Sequence, residues 1–136
     1  MGGGRALASR FEDFRRALDR RDETAYRTAL ADLLARLTEW SEALDRVVVP
    51  ALQRVPRRDL AHELTVDLVQ LRELTRHTLK QIEERARLSD VLGLVENLGA
   101  RLTAHLRQMA DVYAPAAEPA LGDADRAALG AARPPD

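Results

Sequence analysis

LARLTEWSEALDRVVVPAL, residues 34–52, and GARLTAHLRQMADVYAPA, residues 99–116, read as two versions of one segment. Displaced by 65 positions, they share Ala35/Ala100, Arg36/Arg101, Leu37/Leu102, Thr38/Thr103, Val47/Val112, Pro50/Pro115 and Ala51/Ala116 without a gap. Each carries apolar residues three and four apart, the spacing of one helix face, and each runs into Pro-Ala. The matches indicate an internal duplication of a helical unit. The same register sets Trp40 against His105 and Leu44 against Met109, so the two copies differ at inward positions.

Four helical patterns surround these segments. Leu7, Phe11, Phe14 and Leu18 share a face of the first, which ends near Arg21. Asp22 or Thr24 caps the second, whose stripe runs Tyr26, Leu30, Leu33, Leu37, Trp40, Leu44 and Val47, with Pro50 and Pro56 bracketing its end. Asp59 caps the third, in which Leu60, Leu64, Leu68, Leu71, Thr75, Thr78 and Ile82 align. Ser89 or Asp90 opens the fourth, with Val91, Leu94, Leu98, Leu102, His105, Met109 and Val112 inward, and Pro115 and Pro119 stop it. Every stripe must be buried against another, and no segment alternates with period two. The expected fold is therefore all-α, an up-down-up-down antiparallel four-helix bundle over residues 5–120. Residues 121–136 form a short helical or disordered tail, with Asp123 capping one or two turns and ARPPD disordered.

Composition removes several functions. In 136 residues there is no cysteine, which excludes disulfides, thiolate zinc sites and cysteine nucleophiles. Net charge is −1 with 32% charged residues, leaving no basic stripe for a phosphate backbone. No apolar run approaches the roughly 20 residues that span a bilayer, and MGGGRALASRF lacks the core of a signal peptide. A soluble, cytoplasmic protein without nucleic-acid or membrane partners is expected. The single lysine, Lys80, amid many Arg and Ala residues suits a GC-rich bacterial source.

The duplicated unit and its endings, Val48-Val49-Pro50-Ala51-Leu52 and Tyr113-Ala114-Pro115-Ala116, resemble the hemerythrin-like, or HHE cation-binding, family over roughly residues 5 to 120. The resemblance implies a His from the first helix of each unit and a His-x-x-x-Glu pair from the second, together holding a di-iron centre in the core. Here the pairs read Trp40-x-x-x-Leu44 and His105-x-x-x-Met109. The first-helix histidine falls at or near Phe11, and its counterpart around Leu71 to Thr75, where no histidine stands. The resemblance is thus to a degenerate member lacking most metal ligands, with no metal and no resident cofactor.

Trp40 reads as the side chain that fills the space vacated by metal and ligands. His105 reads as a neutral core histidine bonded to Thr103, Tyr26, Tyr113 or a backbone carbonyl, since a buried imidazole needs a partner. The expected function is a metal-free binding or regulatory module, its partner another protein or a second copy of the chain. The alternative is haem or a small hydrophobic ligand in a cavity lined by His105, Met109, Trp40, Phe11 and Leu71, or an enzyme reusing that cavity with His105 as general acid or base. Glu73, His77 and Glu84 gather on the far side of the third helix, with Arg72, Arg76 and Arg85 interspersed, as a solvated face. His62 beside Glu63 reads as a surface pair. No catalytic triad order, phosphate loop or zinc spacing is present.

Overall fold

The computed structural model describes residues 3–131, and the side chains of residues 6–130. Among these residues there is no strand, and the chain is all-α. Helices α1 (Gly3–Asp19), α2 (Glu23–Arg54), α3 (Arg58–Glu83) and α4 (Leu88–Gln108) are joined by residues 20–22, 55–57 and 84–87. Links this short turn the chain back on itself, and each helix packs on its chain neighbour while α1 also meets α4. Beyond α4 come a π-helical turn (Met109–Tyr113), α5 (Ala114–Ala117), a 3-10 turn (Glu118–Ala120) and α6 (Asp123–Ala131), which lies on α2. The residues expected to be disordered, ARPPD, lie outside the described ones.

The apolar stripes are the core. Leu7, Phe11, Phe14 and Leu18 of α1 are buried, as are Leu30, Leu33, Leu37, Trp40, Leu44 and Val47 of α2 and the whole α3 stripe from Leu60 to Ile82. Each buried leucine contributes about 1.5 to 3 kcal/mol relative to exposure, so these faces dictate the packing. Two buried hydroxyls on α3 are satisfied by their own helix: Thr75 donates to the Leu71 carbonyl at 2.8 Å and Thr78 to that of Leu74 at 2.8 Å.

Helix ends depart from expectation more than helix faces do. Asp22 does cap α2, accepting from the Ala25 N–H at 3.1 Å. Asp59, however, sits in the first turn of α3 and pairs with Arg57 at 3.0 Å, which holds its carboxyl below the usual range. Ser89 and Asp90 likewise lie inside α4, which starts after Arg87 with no side-chain cap. In α6 the Gly122 carbonyl takes the Arg126 N–H and Asp125 reaches back to the Gly122 N–H at 3.0 Å, so Gly122, not Asp123, holds the cap position.

The second helix ends at Arg54, between Pro50 and Pro56 as expected, whereas Pro115 does not end the helical run, which goes on to Ala120. Pro50, half-buried, stands inside α2, where it withholds one backbone N–H, and the buried stripe on either side, Val47, Val48, Ala51 and Leu52, holds the helix together. Ahead of Pro115 the backbone widens into the π turn, with the Ala114 N–H reaching the Met109 carbonyl. The wider turn shifts the helix phase, which carries Tyr113 inward in place of Val112. Earlier in α4, Val95 is buried where Leu94 was expected, and Leu94 is half-buried.

Two turns need residues in the left-handed region. α1 and α3 both close with the paired 6→1 and 5→2 hydrogen bonds of a Schellman motif: Asp22 N–H to Ala17 and Arg21 N–H to Leu18, then Ala86 N–H to Gln81 and Arg85 N–H to Ile82. The left-handed position, usually glycine, is Arg21 in one and Arg85 in the other, each at φ 56°.

Candidate functional site: a polar relay across the core

The 65-position alignment of the two segments has a structural counterpart. Trp40 of α2 and His105 of α4, equivalent positions 65 residues apart, are bonded to each other: the indole Nε1–H donates to His105 Nε2 at 3.2 Å. Trp40 is 2% and His105 1% exposed, so the bond lies in the apolar interior. On the other side of the ring, His105 Nδ1 lies 2.6 Å from Asp67 Oδ2 of α3.

The tautomer follows from donor chemistry. An indole nitrogen only donates, so His105 Nε2 must be the acceptor and the ring proton resides on Nδ1, donated to the Asp67 carboxylate. Three helices are joined by one directional chain, Trp40 to His105 to Asp67. It runs from the core outward: the His105 side chain is fully buried, while that of Asp67 is 23% exposed and keeps contact with water. That partial exposure lets a carboxylate stand here without the large desolvation penalty of a sealed site.

Asp67 was not among the partners expected for His105; Thr103, Tyr26, Tyr113 and a backbone carbonyl were. Its signal was present but weak: on α3 it follows Leu64 by three and precedes Leu71 by four, on the flank of the apolar stripe. Nothing in a single sequence distinguishes such a flank aspartate from the solvated acids around it. Tyr113, brought inward by the π turn, belongs to the same neighbourhood. Burial first, and then the charges of Asp67 and Glu63, raise its phenol above the ordinary value.

Of the five residues expected around one cavity, Trp40 and His105 are in direct contact, and Leu71 and Met109 are buried in the same core. Phe11 belongs to that core too, at the α1–α4 seam. Its Cζ stands 2.9 Å from where a Cβ on Gly99 would project, so glycine at that position of α4 makes room for the ring. Phe11 lines a cleft of about 630 Å³ between α1 and α4, and Trp40, Leu71, His105 and Met109 do not line it. Glu73, His77 and Glu84 are exposed; Glu73 pairs with Arg76, and Glu84 faces Lys80 at 3.9 Å. His62 and Glu63 are exposed too.

A di-iron centre does not fit these residues. Phe11, Trp40, Leu44, Leu71 and Met109 offer no imidazole or carboxylate, and His105 has both nitrogens engaged. Among the described residues, no three His, Asp or Glu side chains gather closely enough to hold a metal ion. No helix among them is long and apolar enough to cross a membrane. Compared with protein-family models, curated proteins and solved structures, the chain matches none.

Proposed function

We propose that the chain is an up-down-up-down four-helix bundle of hemerythrin-like form that works without metal as a binding or regulatory module. The observation that carries this reading is the Trp40–His105–Asp67 relay. Trp40 and His105 hold positions to which the resemblance assigns metal ligands, and with Asp67 they join α2, α3 and α4 by hydrogen bonds. With Nε2 taken by an indole N–H and Nδ1 by a carboxylate, His105 has no lone pair to offer iron, and none to take a substrate proton, until Trp40 moves. A module of this kind meets its ligand or partner on its surface, outside the polar core.

The test is protein purified without chelator and examined by metal analysis, optical absorbance and haemin titration, alongside His105→Leu and His77→Leu. The expected result is a colourless, iron-free protein with no sharp Soret band and a melting temperature indifferent to EDTA. A Soret band lost in His105→Leu and kept in His77→Leu would establish haem binding and overturn the proposal. Bound iron with chelator-sensitive melting would overturn it as well.

A further inference from the structure

The left-handed arginines that end α1 and α3 stand at one cleft. Arg21 and Arg85 line a cavity of about 320 Å³ whose remaining walls include Tyr26, Ile82, Leu88 and Val91. Ile82 and Val91 are buried, Tyr26 is half-buried, and Leu88 leaves 38% of its surface exposed. The cleft thus has a cationic mouth and an apolar wall. Its one acid, Glu23, is engaged by Arg27 at 2.8 Å. Arg21 sends a single guanidinium N–H to the Leu18 carbonyl at 3.1 Å, and neither Arg21 nor Arg85 has an ion pair among the described residues.

Local conformation adds a second argument. A Cβ-bearing side chain at φ 56° is disfavoured relative to glycine, which is the common residue at this point of a Schellman motif. Two helix ends independently place arginine there, and both arginines border the same cavity. Arg21 spends one N–H on the last turn of α1, which leaves its other donors and those of Arg85 for the cleft they line.

We propose that this cleft binds a small organic anion, its carboxylate or phosphate held between the Arg21 and Arg85 guanidiniums and its apolar body against Tyr26, Leu88 and Val91. Guanidinium supplies parallel N–H donors that match either oxyanion, and a cavity of this volume suits a compact aromatic or short aliphatic acid. The cleft lies about 25 Å along α4 from His105, counting 1.5 Å per residue from Leu88, so it is independent of the core relay and of the reading given to it.

The experiment titrates the intact protein with phenyl phosphate, benzoate and inorganic phosphate while amide shifts are followed by NMR, and repeats it with Arg21→Ala, Arg85→Ala, Arg21→Gly, Arg85→Gly and Arg107→Ala. Phenyl phosphate or benzoate is expected to give saturable shifts confined to the turns around residues 21–26 and 82–91. Inorganic phosphate, which has no apolar body, should bind about tenfold more weakly or worse. Each substitution at Arg21 or Arg85 should weaken the organic anion by about tenfold, whereas Arg107→Ala, the same loss of charge at another cleft, leaves it intact. Each glycine variant should melt a few degrees above its alanine counterpart, since alanine keeps the left-handed strain that glycine relieves. The proposal fails if no saturable shift appears below about 10 mM, if Arg107→Ala is as damaging, or if inorganic phosphate binds as tightly. Glycine variants melting no higher than the alanine ones would also overturn it, by removing the strain argument.

Discussion

The two matched segments, residues 34–52 and 99–116, differ in backbone and in inward side chain. In the first, the backbone is regular α-helix straight through Pro50 and the inward side chain is the donor Trp40. In the second, the backbone opens into a π turn before Pro115 and the inward side chain is the acceptor His105. The matched positions 40 and 105 touch, so each must suit the other as a partner, beyond suiting its own helix. An indole, which only donates, and a neutral imidazole, which also accepts, give that contact a fixed direction. Asp67 then completes the chain from the second unit alone. The asymmetry at matched positions is therefore complementarity across the core.

Restoring the symmetry that the resemblance implies should be the most damaging change. Trp40→His with Leu44→Glu recreates a His-x-x-x-Glu pair at positions that are 2% and 0% exposed. It deletes an aromatic ring and buries a carboxylate without partners. Urea titration should show a loss of about 4 kcal/mol or more. Unchanged stability would mean that the first segment tolerates the chemistry of the second, and the comparison would break.

Removing the acceptor is milder. His105→Leu leaves the Trp40 N–H without a partner in the interior, while the partly exposed Asp67 turns to water, for an expected loss of about 2 kcal/mol. Trp40 is the chain's single tryptophan, so its fluorescence emission reports the change directly. Adding Trp40→Phe to His105→Leu should destabilise by less than the sum of the two single changes, because the orphaned donor goes with it. Strict additivity in that cycle would show that the bond is not a coupled unit.

Two glycines of α4 sharpen the contrast within the second segment's own helix. A Cβ at Gly93 meets nothing within 4 Å, and Gly93→Ala should stabilise by about 0.5 to 1 kcal/mol through helix propensity. The same change at Gly99 drives a methyl group into Phe11, and thermal melting should show a net loss of about 1 kcal/mol. Equal gains at both would mean that the α1–α4 seam is loose.

The smallest effect concerns Tyr113, which the π turn carries inward. Burial, with Asp67 and Glu63 adding to it, makes its phenol harder to ionise in the folded state. Below about pH 10 the group is neutral folded or unfolded and contributes no pH dependence. As pH rises past that point the unfolded chain loses the proton first, so stability declines. Tyr113→Phe should flatten that alkaline decline in urea midpoints taken at several pH values and leave the neutral midpoint's pH dependence unchanged. An equally steep decline in the variant would detach Tyr113 from the relay's neighbourhood.

The sequence by itself determined that the chain is all-helical, where most stripe residues lie, and that residues 34–52 and 99–116 match in register with His105 inward. Those features rest on local periodicity and on side-chain hydrophobicity, which are properties of a helix before it meets another. It also presented Trp40 and His105 as a matched pair, but only as an alignment. That the pair bonds, that Asp67 holds the far nitrogen, and that Arg21 and Arg85 border one cleft were decided by tertiary structure. Each brings together residues from separate helices or turns, and no spacing along the chain encodes which flank residue faces which neighbour. Helix ends and the π turn belong with these. Arg87 and Arg57 occupy cap positions that better capping residues nearby do not, and Pro50 and Pro115 are kept within continuing helical structure. Burial of a whole apolar stripe outweighs a local preference of about 1 kcal/mol at a cap or about 3 kcal/mol at Pro50, while Pro115 falls in the first turn of α5, where proline is tolerated.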